Sequence, residues 1–211
     1  MCVCNDVTRI AGLQVGVLSF GFWRTFNDQK DQEAIDNAKA CMTIVRDAGA
    51  NLFDNAEVYG RPSGTAETIL GEALQQLTSE DPKKWRRSDL VITTKLFWGG
   101  EGVNERGLSV KHLREGLDAS LKRLQLDYVD LVFCHRADPL TPTETVVRGM
   151  TDLVRSGKAT ACAGWYRDHI PRAAAQVLPS YHASGHTLVT STRAHDASRA
   201  YHADITPCAS R

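Results

Sequence analysis

From Leu13 onward, short apolar runs alternate with segments whose apolar residues recur at helical period. Residues 15–20 predict a strand that stops at Gly21. Residues 32–48 predict a helix with Ala34, Ala38, Cys41, Met42, Val45 and Ala48 on one face, and Gly49 is placed to end it. A short strand at 51–54 follows. Ala66, Ile69, Leu70, Ala73, Leu74 and Leu77 then mark a second helix. The run Leu90-Val91-Ile92-Thr93-Thr94 inside 89–95 has the pattern of a buried strand. Ser109 caps a third helix with Leu113, Leu117, Leu121 and Leu124 inward, and residues 128–134 form a nearly all-apolar fourth strand. Thr141-Pro142-Thr143-Glu144 predicts a capping box, with Thr141 as N-cap and Pro142 as the first helical residue. Val146, Val147, Met150, Leu153 and Val154 continue that fourth helix to Gly157, and 158–163 is a fifth strand.

Strands apolar on both faces, alternating with helices, argue for a parallel sheet covered by helices. A (β/α)₈ barrel and an open doubly wound sheet both satisfy that pattern. The polar residues favour the barrel. Asp54, Lys95 and His135 stand at or just past the C-terminal ends of successive strands, where barrel enzymes gather their chemistry. No G-x-G-x-x-G follows the first strand, which counts against a dinucleotide-binding open sheet.

Composition changes the picture in two places. Lys plus Arg and Asp plus Glu both number 25, so net charge gives no reason to expect nucleic acid or an anionic membrane as partner. No apolar run approaches the roughly 20 residues that cross a bilayer, and residues 1–10 lack an apolar leader core. The expectation is therefore a cytoplasmic protein without membrane insertion. The six cysteines (Cys2, Cys4, Cys41, Cys134, Cys162 and Cys208) are scattered, which suits free thiols rather than a disulfide frame or a zinc site.

The second change lies after Thr160. Residues 161–211 contain no Lys, Glu or Phe and hold five of the seven histidines. One short helix at 170–178 is the most that segment suggests. We read 161–211 as an aberrant or disordered tail, of the kind a frame-shifted or mis-spliced message would produce. His182 and His186 have helical metal-ligand spacing, but Ser184-Gly185 between them opposes a helix, and no metal is expected.

The candidate chemistry is a set of four groups. Asp54 leaves a short strand and Tyr59 follows five residues later; Lys95 and His135 end the next two strands. A phenol with a pKa near 10 keeps its proton at neutral pH and can donate it. A lysine cation beside it makes it a better acid, an aspartate orients the lysine, and an imidazole positions a carbonyl oxygen or shares in the proton transfer. An acid alone does not reduce a carbonyl, so hydride must come from a cofactor such as a nicotinamide. Taken singly, each residue also has an ordinary structural reading as cap, packing or surface group. The combination at consecutive strand ends carries the argument.

Four segments resemble the aldo-keto reductase family: Gly12-Leu13-Gln14-Val15, Phe53-Asp54-Asn55-Ala56-Glu57-Val58-Tyr59, Thr93-Thr94-Lys95-Leu96-Phe97-Trp98-Gly99-Gly100, and Leu121 through Asp130. The Lys95–Gly100 run and Arg106 through His112 resemble more narrowly the branch containing cytoplasmic β subunits of voltage-gated potassium channels and their fungal and bacterial relatives. The resemblance covers residues 12–158. It implies an α/β fold of (β/α)₈ TIM-barrel type, here incomplete, with about the first five β/α units in 12–160. It also implies NADPH as cofactor, a small carbonyl substrate, Tyr59 as general acid tuned by Lys95 and Asp54, and His135 as the orienting group. Some channel subunits carry Asn at the position of His135, so the histidine favours a reductase-like site. Phe22, Trp23 and Gln29, with Asp54, match cofactor-lining positions, although Phe22 replaces a small polar residue. The family's Trp-Gly-Thr-Ser-Glu-Trp-like segment is here Ala161-Cys162-Ala163-Gly164-Trp165-Tyr166, a departure. The same branch implies a homo-oligomer or a channel-type partner. A cofactor-sensing subunit and an inactive fragment are the alternatives to a working reductase.

Overall fold

The computed structural model describes residues 7–23, 31–164 and 188–190. Its centre is a parallel sheet of six strands in the order β3-β4-β5-β6-β7-β8: Ser19–Gly21, Leu52–Asp54, Val91–Leu96, Val129–Cys134, Ala159–Gly164 and Leu188–Thr190. Each of the first four connections carries one helix: α1 Gln32–Asp47, α2 Thr65–Glu80, α3 Val110–Leu124 and α4 Thr143–Arg155. An antiparallel hairpin, β1 Val7–Ile10 and β2 Leu13–Gly16, precedes the sheet.

Strand alternation divides the buried residues into two sets. Ile92, Leu96, Val132, Cys134 and Cys162 face the helices and share one core with Ile69, Leu70, Leu113, Leu117, Val146 and Met150. Val91, Leu131 and Ala161 point the other way and pack with Val15 of the hairpin. The hairpin thus covers the N-terminal end of the inner face with apolar side chains. Further along the same face the side chains become polar: Asp54 pairs in register with Thr93, and Lys95 with Phe133. The chain therefore places its chemistry at the C-terminal ends of the strands.

The helices begin as their local sequence directs, with one exception. Asp31 caps α1 by accepting from the Ala34 N–H at 2.8 Å, and Ser109 caps α3 by accepting from His112 at 3.1 Å. Such caps are each worth about 0.5–2 kcal/mol. The predicted capping box at α4 does not form. Pro142 is the N-cap, not the first helical residue, and the Thr141 hydroxyl instead donates to Asp138 at 2.7 Å. That bond turns the hydroxyl towards a carboxylate already fixed by the Leu108 and Leu140 N–H groups, and no side-chain cap bond forms at the first turn of α4.

Two further expectations are corrected. The single strand at 15–20 is two, because exposed Val17 and Leu18 separate a hairpin strand from the first strand of the parallel sheet. On α1 the buried residues are Ala34, Ile35, Ala38 and Met42; Ala48 is exposed at the C-cap. Beside these, Thr160 lies within β7, and Leu188–Thr190 pairs with β7 as a further parallel strand. The helix suggested at 170–178 and the pair His182 and His186 lie outside the described residues, as do Cys2, Cys4 and Cys208. Among the described residues, Cys41, Cys134 and Cys162 form no disulfide.

Candidate active site

Lys95 is the centre of the site. As the penultimate residue of β5 it points along the inner face, and its side chain is 11% exposed. Its ammonium donates to Asp54 Oδ2 at 2.5 Å, to the Asn55 carbonyl at 2.8 Å and to Tyr59 Oη at 3.1 Å. An ammonium has three protons, and these three acceptors use them all. Asp54 is fixed from its other oxygen by the Thr93 hydroxyl at 2.7 Å. The acid, the base and the phenol are thus locked in one orientation by neighbouring strands. Since Tyr59 Oη accepts from Lys95, its own proton is directed away from the lysine.

Tyr59 reaches this position from the loop between β4 and α2. Its N–H bonds to the Ala56 carbonyl, and its carbonyl accepts from Gly64 and Ala66 at the start of α2. The ring is buried and lies under the cation, with Lys95 Nζ 4.6 Å from its centroid. The His135 ring stands edge-on to it, at 5.6 Å between centroids.

His135 follows β6, and its N–H is held by the Leu96 carbonyl. Burial, then the positive charges of Lys95 and Arg136, push its pKa down to about 4. The imidazole is therefore neutral at physiological pH, with one N–H donor and one bare nitrogen. Its buried Nδ1 has no hydrogen-bond partner among the described residues. The four residues expected at the site thus stand in one cluster: a phenol, an ammonium bonded to it, the carboxylate that holds the ammonium, and a neutral imidazole beside the ring.

The expected cofactor residues are placed less uniformly. Trp23 is 65% exposed and its ring lies 6.3 Å from that of Tyr59. The Phe22 ring is 1% exposed, edge-to-face with Phe20 and part of the helix-side core. A lining role for its side chain does not fit that burial, and its main chain, hydrogen-bonded to Asp54 O, is what lies near the site. Gln29 lies outside the described residues.

Sequence reasoning passed over three buried acids. Glu57 accepts from the N–H groups of Phe97 at 2.5 Å and Gly99 at 2.9 Å, and meets His112 Nε2 at 3.2 Å. Burial raises its pKa, but His112 and the two N–H groups outweigh that and leave the carboxyl below its usual range. Glu67 on α2 accepts from Thr94 at 2.5 Å and Arg123 at 2.7 Å, and its pKa is raised by burial. Asp130 on β6 accepts from the Ile92 N–H and pairs with Arg87, whose guanidinium lies over Tyr128; burial raises its pKa too. Glu57 stood inside a quoted motif, two residues before Tyr59, and an acid between Ala56 and Val58 was the available signal.

The family model described as the aldo/keto reductase family matches residues 17–191, which extends the likeness beyond residue 158, where the quoted motifs end. Among curated proteins, the chain is 52% identical over 149 residues to a "probable voltage-gated potassium channel subunit beta" of Oryza sativa subsp. japonica. It is 51% identical over 149 residues to a protein of the same name from Arabidopsis thaliana. Each match covers 71% of this chain but 42% of the relative, so the chain spans under half the length of these relatives. A solved structure of a thermostable aldo-keto reductase with the inhibitor epalrestat matches with a TM-score of 0.62 at 24% identity. That match covers 82% of this chain and 57% of the other, and supports the TIM-barrel type of fold. The six parallel strands described here fall short of the eight that close such a barrel.

Proposed function

Because the chain belongs to the aldo/keto reductase family, we propose that it is built to reduce aldehyde or ketone carbonyls, with NADPH as hydride donor and Tyr59 as general acid. The observation that carries this is the ammonium of Lys95 joining Asp54 Oδ2 at 2.5 Å to Tyr59 Oη at 3.1 Å. As hydride reaches the carbonyl carbon, negative charge grows on the oxygen and the Tyr59 proton moves to it. The lysine cation then stabilises the phenolate left behind, in a site where burial strengthens the attraction. Neutral His135 supplies one hydrogen bond to hold the carbonyl oxygen in line with that proton.

NADPH would supply the hydride at carbon 4 of its nicotinamide. The exposed Trp23 ring and the His135 Nδ1, which has no partner among the described residues, fit a flat, polar-edged group beside Tyr59. We assign Trp23, Gln29 and Asp54, with the main chain at Phe22, to holding it. The location proposed is the cytoplasm; among the described residues no helix is long and apolar enough to cross a membrane.

The names of the rice and Arabidopsis relatives favour a second reading, a subunit that binds NADPH to sense it while associating with a channel or with further copies of itself. Binding of NADPH by equilibrium dialysis, followed by turnover of a panel of aldehydes, separates the two. The reductase reading expects turnover that Tyr59→Phe lowers by about 10²–10⁴-fold with NADPH still bound. Binding without turnover in the unaltered chain supports the sensing subunit, and absence of binding removes both.

A further inference from the structure

The loop that carries Tyr59 and the loop after β5 meet at one carboxylate. Glu57 lies two residues before Tyr59, and its N–H bonds to the Lys95 carbonyl. Its side chain, 2% exposed, then crosses to the Phe97 and Gly99 N–H groups, the first turn beyond the lysine strand. His112 of α3 closes the socket at 3.2 Å from the same oxygen. The other oxygen is accommodated because residue 116 of α3 is glycine: a Cβ there would stand 3.0 Å from Glu57 Oε2 and 3.2 Å from His112 Cε1. The Ser63 hydroxyl adds a tie by donating to the Glu57 carbonyl at 3.1 Å. A carboxylate so enclosed, with two main-chain donors and an imidazole, has little freedom to shift.

From this arrangement we infer that Glu57 is a positioning residue for the proton donor: it clamps the Tyr59 loop to the strand end that bears Lys95, and so sets the distance between phenol and ammonium. The inference rests on the reductase reading for its effect on rate, but not for its effect on geometry. Glu57 touches neither the reacting atoms nor Tyr59 Oη, so its loss acts through Tyr59. Its side chain meets Phe97, Gly99 and His112 and none of the groups assigned to cofactor or carbonyl oxygen, so kcat should move while KM does not.

The test uses the full chain with Glu57→Ala and Gly116→Ala, the second disturbing the same carboxylate from α3 without altering Glu57. Urea unfolding first establishes that each variant is folded. The ¹³Cζ resonance of Tyr59, assigned with Tyr59→Phe, then reports the hydroxyl's surroundings, with Lys95→Met marking the signal of a phenol without its ammonium. The expected result is a displacement of that signal toward the Lys95→Met position in either folded variant. It is accompanied by a kcat lower by about ten- to a hundredfold at unchanged KM, the cost typical of a small misplacement. Glu57→Gln, which keeps an oxygen for the two N–H groups, should recover most of both. A Tyr59 resonance at its wild-type position in a folded variant that lacks the clamp overturns the inference. If the unaltered chain shows no turnover, the reductase reading fails on its own, while the resonance still decides the role of Glu57.

Discussion

At the scale of single residues, the site works through charge states that burial selects. Lys95 is a cation held by a carboxylate, a carbonyl and a phenol, whereas His135, close by, is kept neutral. The lysine itself is part of the reason, since a second positive charge beside it is disfavoured. This has a consequence for stability. An unfolded histidine titrates near 6.5 and the folded His135 near 4. Between those values the unfolded chain takes up a proton that the folded chain refuses, so folding weakens as pH falls from about 6.5 to about 4 and the effect levels off below. Urea unfolding of wild type and His135→Asn across that window should show the wild type losing stability relative to the variant as acid is added. A difference that stays constant with pH would mean that the imidazole is not held neutral.

The elements owe their positions to close approaches that only small residues permit. Gly71 on α2 faces the C-terminal end of α3: a Cβ there would lie 2.7 Å from the carbonyl oxygens of both Arg123 and Leu124. Main-chain atoms cannot rotate aside as a side chain can. Alanine gains about 0.8–1.0 kcal/mol over glycine inside a helix, but overpacking costs about 1–3 kcal/mol. Gly71→Ala should therefore destabilise, by up to about 2 kcal/mol in urea unfolding, where propensity alone predicts the opposite sign. Most elements were legible because apolar spacing reports burial directly: Leu113, Leu117, Leu121 and Leu124 face the core as their four-residue rhythm implies. The division of residues 15–20 into hairpin and sheet strand was not, because an apolar run does not reveal that Val17 and Leu18 are exposed. The capping box failed because its competitor, Asp138, gains its hold from a loop thirty residues away. Asp54, Tyr59, Lys95 and His135 could be placed because strand ends are marked by where apolar runs stop. Glu57, Glu67 and Asp130 could not, since each finds its partners on other elements and an acid's burial leaves no periodic trace.

For the whole molecule, the same sheet face changes character along its length. The hairpin seals its N-terminal end with Val15 against Val91, Leu131 and Ala161, and the C-terminal end carries the polar cluster. This polarity is what a barrel enzyme requires, with structural packing at one end and chemistry at the other. The chain aligns with 42% of its rice and Arabidopsis relatives, and Asp54, Tyr59, Lys95 and His135 form only the proposed proton-donating side of the site. The central claim is that this side serves a hydride transfer, and isotopic transfer tests it most directly. The full chain would be supplied with NADPH carrying deuterium at the transferable position of nicotinamide carbon 4, together with an aldehyde. The expected product is an alcohol with deuterium on the former carbonyl carbon, formed by wild type and suppressed in Tyr59→Phe. Alcohol formed without deuterium, or NADPH bound with no alcohol formed, would contradict it.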